Sequence, residues 1–285
     1  MKIDGSTIAD SLLARLATNV AQLKKNGVTP TLAVILIGDN PASLSYIRQK
    51  QKSAEKIGAS VIVNHQPATI SRDELKKLIT KYNENQRVHG LIVQRPVPGE
   101  VGETKEILNT VSPEKDVDGF VLHSPFPVPV AAAVLRILEE VYRMRQTQGE
   151  QSAFDSWLKT QCSVVLGRGE TAGKPIGDML AKKGCTIAVI HSQTPTPEEF
   201  TRKADIIVSC VGKERMVTAR TIKPGATLIS VGIWRDESGK LQGDYDESEV
   251  APVAGFYTPT PGGVGPVNVA CLMENLVAAA SRKSD

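Results

Sequence analysis

Cysteine is scarce and scattered: Cys162, Cys185, Cys210 and Cys271 are the only four in 285 residues, and no two form a CxxC pair. That distribution fits neither a zinc site nor a disulfide framework. Each cysteine is therefore expected in a strand or helix core as a small hydrophobe, and a reducing cytoplasm is the simplest compartment. Uninterrupted apolar runs such as LAVILIG at 32–38 are strand-sized, so no membrane span is indicated. The opening MKIDGSTIADSLL has no long apolar stretch and carries Asp4 early, against a secretory signal. A net charge of +3 is too small to suggest a nucleic-acid partner, and no basic block with interleaved aromatics is present. There is no internal repeat and no low-complexity tract. What remains is ordinary for a globular protein, with 41% hydrophobic and 23% charged residues and length enough for one large core or two domains.

Apolar runs rich in β-branched residues alternate with helical stretches, the pattern of an α/β protein with parallel sheets. The first series of strands is TLAVILIG (31–38), SVIVNH (60–65) and HGLIVQ (89–94), with helices near 6–26, 42–58, 72–84 and 103–110. The second series is SVVLG (163–167), TIAVIH (186–191), DIIVSCV (205–211) and ATLISVG (226–232). These runs barely alternate, so strands covered on both faces are expected. A helix over roughly 133–150 separates the series, followed by the polar RQTQGEQSAFDSWLKTQ, which reads as a hinge or connector. The last segment, VNVACLMENLVAAASR, has a helical period and is expected to pack back on the first domain.

Within LSYIRQKQKSAEKIG (44–58) one lysine stands on the apolar side. At about 100° per residue, with Tyr46 at zero, Lys50 falls at about 40°, Ile57 at about 20°, Ala54 at about 80° and Ile47 at about 100°. Arg48, Lys52 and Lys56 fall on the opposite, solvated face. An ammonium on the buried arc loses water, which lowers its pKa toward the range useful for proton transfer. On the helix alone a second reading stays open, a lysine snorkelling past core residues to solvent.

SVVLGRGETAGKP places Gly167, Gly169 and Gly173 where a strand turns into a helix, a turn that brings backbone N–H groups to a pyrophosphate. The spacing is GxGxxxG rather than GxGxxG, and a tight packing turn without ligand is the plain alternative. A site for NAD usually has Asp or Glu at the end of the next strand; here that strand ends in His191-Ser192. Arg168 in the glycine loop is available to a 2′-phosphate. A missing acid and an available cation together favour NADP.

Three further segments fall at strand or loop ends: GLIVQRPVP around Gln94, PEKDVDGF around Asp116 and Asp118, and TPTPGGVGPVN at 258–268. Singly they read as a strand-end polar residue, a turn cap and a rigid loop. Together with GDNPASLSYIRQK at 38–50, they closely resemble the bifunctional methylenetetrahydrofolate dehydrogenase/cyclohydrolase family. Its signatures read roughly YVxxKxK, GxLVQLPLP, PxKDVDG, VVxGRSxxVGxP, HSxT, VGI and TPVPGGVGPMT. They match Tyr46 to Lys52, Gly90 to Pro98, Pro113 to Gly119, Val164 to Pro175, His191 to Thr194, Val231 to Ile233 and Thr258 to Asn268, in order and over nearly the whole chain.

The resemblance implies two α/β domains with a cleft between them, the second a Rossmann-type doubly wound parallel sheet. It puts a folate-binding catalytic domain at 1–122 with 266–285, a connector at 123–162 and an NADP domain at 163–265. It implies NADP-dependent oxidation of 5,10-methylenetetrahydrofolate and hydrolysis of the methenyl product to 10-formyltetrahydrofolate, the one-carbon chemistry that serves purine biosynthesis. By the same analogy Lys50 is the central catalytic residue, Tyr46 stacks on the folate ring, Gln94 sets the protonation of Lys50, and Asp118 holds the pterin. Val93, Arg95 and the Pro261, Gly262, Gly263, Val264 and Gly265 loop line the folate site. Gly167, Arg168, Gly169, Ser192 and Ile233 match cofactor-contacting positions. A cytoplasmic homodimer joined through the Rossmann domains is implied, with no metal, membrane or nucleic acid. The chemistry needs no histidine, so His65, His89 and His123 read as structural.

The match is imperfect. The family's PCTPxG is replaced by SPFPVPVAAAVLRIL (124–138), its approach is shorter, and the connector before SVVLG is longer. Arg95 stands for leucine, Gly169 for serine and Asn268 for threonine. The remodelled segment leaves two alternatives: an impaired folate- or nucleotide-binding protein, and a monofunctional dehydrogenase. Another two-domain NADP dehydrogenase, such as one acting on shikimate, leaves the PGGVGP loop and the Tyr46/Lys50 pair unexplained.

Overall fold

The computed structural model describes residues 1–97, 105–146 and 153–282. Pro98, positions 103–104 and 147–150 of two expected helices, and the middle of the connector lie outside them. The chain divides into two compact units: Asp10–Pro129 with Val269–Asp285, here the first unit, and Met1–Ala9 with Val130–Asn268, the second.

Helix α1 (Gly5–Lys25) leads into β1 (Thr31–Ile37), α2 (Pro41–Ile57), β2 (Ser60–Gln66), α3 (Arg72–Glu84), β3 (Gly90–Val93) and the short α4 (Lys105–Leu108). The three strands form a parallel sheet in the order β2-β1-β3. The run TLAVILI makes β1 the central strand, buried from Leu32 to Ile37, and β3 is buried throughout. β2 differs from expectation: it alternates between exposed and part-buried positions, because as an edge strand it has a wet face. Ala33, Ile35 and Ile37 pack with Leu75, Ile79, Leu91 and Val93 in the core beside it.

Local signals set the helix ends. Asn40 accepts from the N–H groups of Ala42 and Ser43, Pro41 opens α2, and Gly58 closes it in the left-handed conformation. Ser71 and Glu74 form a capping box at the start of α3.

In the second unit α5 (Pro129–Gln146) and α6 (Phe154–Lys159) precede β4 (Cys162–Leu166), α7 (Gly173–Lys182), β5 (Thr186–Ile190), α8 (Pro197–Thr201), β6 (Ile206–Ser209) and β7 (Thr227–Ser230). Then come β8 (Ile233–Arg235), β9 (Leu241–Gly243), α9 (Glu247–Val250), β10 (Phe256–Tyr257) and α10 (Val264–Ser281), which belongs to the first unit from Val269 onward. Five parallel strands are ordered β10-β7-β6-β4-β5. The order reverses at β4, which opens a topological switch point at the carboxyl ends of β4 and β6. Met1 to Ile3 extend this sheet: Ile3 N–H donates to the Tyr257 carbonyl at 2.8 Å and Tyr257 N–H to that of Met1 at 3.0 Å. That pairing assigns the first residues to the second unit.

Part of the expected hinge is folded. α6 buries Trp157 and Leu158, and the rings of Tyr142, Phe154 and Trp157 pack with centroids 5.6 to 5.9 Å apart. The polar residues around them masked this aromatic pattern. β5, like β2, is an edge strand with exposed positions. All four cysteines are free, and Cys162 is exposed rather than in a core. α10 is long and apolar enough to span a membrane by length and composition, yet 67% of it is buried inside the protein, as in a core helix.

Candidate active site

Helix α2 turns Ser43, Ile47, Lys50, Ala54 and Ile57 inward, and Lys50 is 7% exposed. Its ammonium donates to Gln94 Oε1 at 3.0 Å. Gln94 stands where the chain leaves β3, next to the point at which the order of this sheet reverses; its own N–H donates to the Ile35 carbonyl on β1 at 2.9 Å. Its amide donates to the Arg95 carbonyl at 2.9 Å, which orients Oε1 toward Lys50. The Ser43 hydroxyl donates to the same carbonyl at 3.2 Å. Ser43 was not singled out from the sequence, although at about 60° it shares the arc with Lys50.

Burial pulls the Lys50 pKa below the ordinary lysine value, while the negative charge of Asp118 acts in the opposite sense. Tyr46 is half-buried one turn earlier, and burial pushes its phenol pKa up. Lys50 does not snorkel: its amine ends on a glutamine inside the protein.

The KDVDG segment is held by groups that the sequence reading left out. Lys115 is 2% exposed and donates to the carbonyls of Tyr82, Asn83 and Asn85, where α3 ends. Asp116 accepts from the Val121 N–H at 2.8 Å, and burial pushes its carboxyl up against that bond. Asn275, a polar residue in the apolar α10, donates to the carbonyls of Val117 at 2.8 Å and Pro127 at 2.9 Å. A side chain at Gly90 would meet Val117 at 2.9 Å, so β3 and this segment touch closely. The half-buried Asp118 stands in the same fixed turn and acts on Lys50. Val93 is buried at the end of β3, and the Arg95 guanidinium lies 4.6 Å from the centre of the Phe120 ring. Lys50, Gln94, Arg95 and Asp118 thus share the first unit with Tyr46 and Val93.

The Pro261–Gly265 loop belongs to the second unit. It is tightly built: a Cβ at Gly263 would lie 2.4 Å from the Pro259 carbonyl oxygen, and Gly262 has φ +98°. Gly265 faces open space.

At the switch point of the second unit, Gly167 adopts φ +100° and a Cβ on Gly173 would lie 2.0 Å from the Gly167 carbonyl oxygen. Nothing lies within 4 Å of a Cβ at Gly169, and no side chain caps the N-terminus of α7. Free space at Gly169 and a helix N-terminus without a side-chain cap together suit a pyrophosphate. Arg168 reaches Gln193 at 3.4 Å, beside the exposed Ser192, and no acid stands at the end of β5. Ile233 opens β8 with 39% of its surface exposed. Asp244, fully buried, was also not foreseen. It accepts from Ser209 Oγ at 2.5 Å and from the N–H groups of Val211 and Lys213 at 2.9 Å, fixing the loop after β6. Gly212 in that loop approaches the Ile233 carbonyl so closely that a Cβ would sit 3.0 Å from it. The Cys210 thiol is pushed up to about 12, mainly by burial and secondly by Asp244.

Among the described residues no group of His, Cys, Asp and Glu is arranged to hold a metal ion. His89 Nδ1 accepts from the Thr31 N–H at 3.2 Å, and His65 Nε2 lies 3.0 Å from the Gly38 carbonyl.

Two family models match: the catalytic domain of tetrahydrofolate dehydrogenase/cyclohydrolase over residues 3–118, and its NAD(P)-binding domain over 152–284. The chain belongs to the tetrahydrofolate dehydrogenase/cyclohydrolase family. It is 41% identical to the bifunctional protein FolD of Lactococcus lactis over 287 residues, covering 99% of this chain and 97% of that protein. The crystal structure of the bifunctional enzyme FolD from Campylobacter jejuni superposes with a TM-score of 0.91 at 34% identity, covering 99% of both chains. The Trypanosoma brucei enzyme, complexed with NADP cofactor and inhibitor, gives 0.88 at 30% identity, covering 99% of this chain and 97% of that one. The stretch 119–151 falls between the two family matches, where the PCTPxG segment is replaced.

Proposed function

We propose that this family member is bifunctional, oxidising 5,10-methylenetetrahydrofolate with NADP and hydrolysing the methenyl product to 10-formyltetrahydrofolate. Support comes from family membership along both units and from one observation above all, the buried Lys50 amine on Gln94 with the Asp118 charge acting on it.

NADP, when bound, accepts the hydride that leaves the methylene bridge. For that step the protein supplies position rather than acid or base. Gly169 would leave room for the pyrophosphate at the start of α7, Gly167 and Gly173 let the strand-to-helix turn close on itself, Arg168 and Ser192 would take the 2′-phosphate, and Ile233 would complete the cofactor contacts. Tyr46 stacks on the folate ring system, Asp118 holds the pterin, and Val93, Arg95 and the Pro261–Gly265 loop complete the folate contacts. In hydrolysis, water adds to the bridging carbon of the methenyl cation and a proton must leave. Lys50, with its pKa lowered by burial, takes and returns that proton, and Gln94 holds the amine in place.

We assign the catalytic folate domain to 1–122 with 266–285, the connector to 123–162 and the NADP domain to 163–265; within that assignment residues 1–9 fold with the second unit. A homodimer in the cytoplasm is the proposed working form. The test is the absorbance of methenyl-folate with methylenetetrahydrofolate and NADP present. It should rise and then decay as hydrolysis follows; no rise at high enzyme concentration points to a folate-binding protein without turnover. Comparing KM for NADP and NAD tests the cofactor, and equal or better use of NAD sinks the preference.

A further inference from the structure

The Pro261–Gly265 loop is fastened at two points by residues distant in sequence, all within the second unit. Its approach runs Thr258-Pro259-Thr260-Pro261. Proline has no N–H, so Thr260 carries the single backbone donor between Thr258 and Gly262. That donor goes to Glu247 Oε1 at 3.0 Å, and both residues are half-buried. The second carboxylate oxygen, Oε2, lies 3.1 Å from the Nζ of the exposed Lys2. Two residues before Glu247, the buried Tyr245 hydroxyl donates to the Thr258 carbonyl at 2.7 Å. Tyr245 and Glu247 thus meet Thr258 and Thr260 in step. Asp246 between them caps α9, accepting from the Ser248 N–H at 2.8 Å, so Glu247 leaves a fixed first turn.

At the far end the loop lies against the start of α1. A Cβ on Gly5 would sit 1.8 Å from the Gly263 carbonyl oxygen and 2.8 Å from that of Gly262. The loop therefore has a hydrogen-bonded end at Thr260 and a backbone stop at Gly5.

A half-buried N–H without an acceptor is unfavourable, and the chain moves to recover one. Between two prolines there is no second donor to hold the old position. We infer that Glu247 is a positioning residue for the folate, fixing the Pro261–Gly265 loop through the Thr260 N–H. The oxygen matters rather than the charge, since an exposed pair such as Glu247 with Lys2 contributes little. The inference rests on the folate reading above and adds a residue to it.

The test pairs hydrogen exchange of the Thr260 amide, read by NMR, with calorimetric binding of tetrahydrofolate and of NADP to the full-length protein. In Glu247→Ala the amide should exchange faster, and tetrahydrofolate should bind about three- to tenfold more weakly, the range for one lost hydrogen bond. NADP affinity should stay within about twofold, because its contacts are assigned to the glycine turn at α7. Glu247→Gln keeps the acceptor oxygen and should behave as the wild type, as should Lys2→Met. Gly5→Ala pushes the loop from its other end without touching Glu247 and should weaken tetrahydrofolate likewise. Unchanged Thr260 exchange in Glu247→Ala overturns the anchor, as does a Glu247→Gln protein impaired as much as Glu247→Ala. An equal loss of NADP affinity marks a general loss of structure and overturns the positioning role. Faster exchange with unchanged tetrahydrofolate binding removes the loop from the folate reading and upholds the anchor.

Discussion

The Lys50 ammonium donates to Gln94 Oε1 at 3.0 Å, joining the inner face of α2 to the end of β3. This bond gives a buried amine a neutral partner, so its charge is left to burial and to Asp118. An ion pair in that place would lock the proton on; an amide leaves it transferable.

Lys50→Met should abolish hydrolysis of methenyl-folate and stabilise the fold. Protonating Lys50 is harder in the folded chain than in the unfolded one. The native state is therefore penalised at every pH below the lowered pKa, and the penalty fades as pH climbs from there toward the unfolded value of about 10.4. Removing the amine should raise stability by about 0.5–2 kcal/mol at neutral pH. Thermal unfolding and a cyclohydrolase assay check this; unchanged hydrolysis contradicts the role of Lys50.

The rising limb of the hydrolysis rate against pH should report the Lys50 amine, below the range of an ordinary lysine. Asp118→Asn removes the charge that raises this pKa, so the limb should move to lower pH. Gln94→Glu puts an anion against the amine, and the limb should move to higher pH. Both profiles are measured on kcat by stopped absorbance assays; shifts of the opposite sign would remove Lys50 as the titrating group.

Arg168→Ala should lower the ratio of kcat/KM for NADP over NAD about 10- to 100-fold, the range for losing a charge-assisted hydrogen bond. Steady-state kinetics with both cofactors decide it. A ratio that stays where it was places the 2′-phosphate elsewhere.

Asp244→Ala leaves the Ser209 hydroxyl and the N–H groups of Val211 and Lys213 without their acceptor. Stability should fall by about 1–3 kcal/mol. KM for NADP should rise as well, because the loosened loop carries Gly212 against Ile233. Denaturant titration and cofactor kinetics read the two effects separately.

Much of this was legible from residue order, for reasons that differ by element. Angular position alone put Lys50 with Ile47, Ala54 and Ile57, and all four are buried. A helix is expected near 72–84, and the Ser71 and Glu74 box fixes where α3 starts. Continuous apolar runs marked seven strands but not which would lie at an edge, since that depends on strand order, and β2 and β5 therefore carry unexpected exposed positions. The hairpin of β8 and β9 was missed because IWR and LQG are too short to show a period. Lys115, Asn275 and Asp244 bond mostly to distant backbone, which no local pattern reveals. The replaced PCTPxG segment was visible as a departure, but the aromatic packing of α5 with α6 was not.

The ring cluster at α6 also decides how unfolding can be watched. Trp157 and Trp234 are the only tryptophans, and both belong to the second unit. Indole emission will therefore follow the dinucleotide half and stay blind to the half that carries Lys50. A fluorescence melt that looks like a single transition says nothing about whether the lysine-bearing half has already opened, and circular dichroism must be recorded beside it.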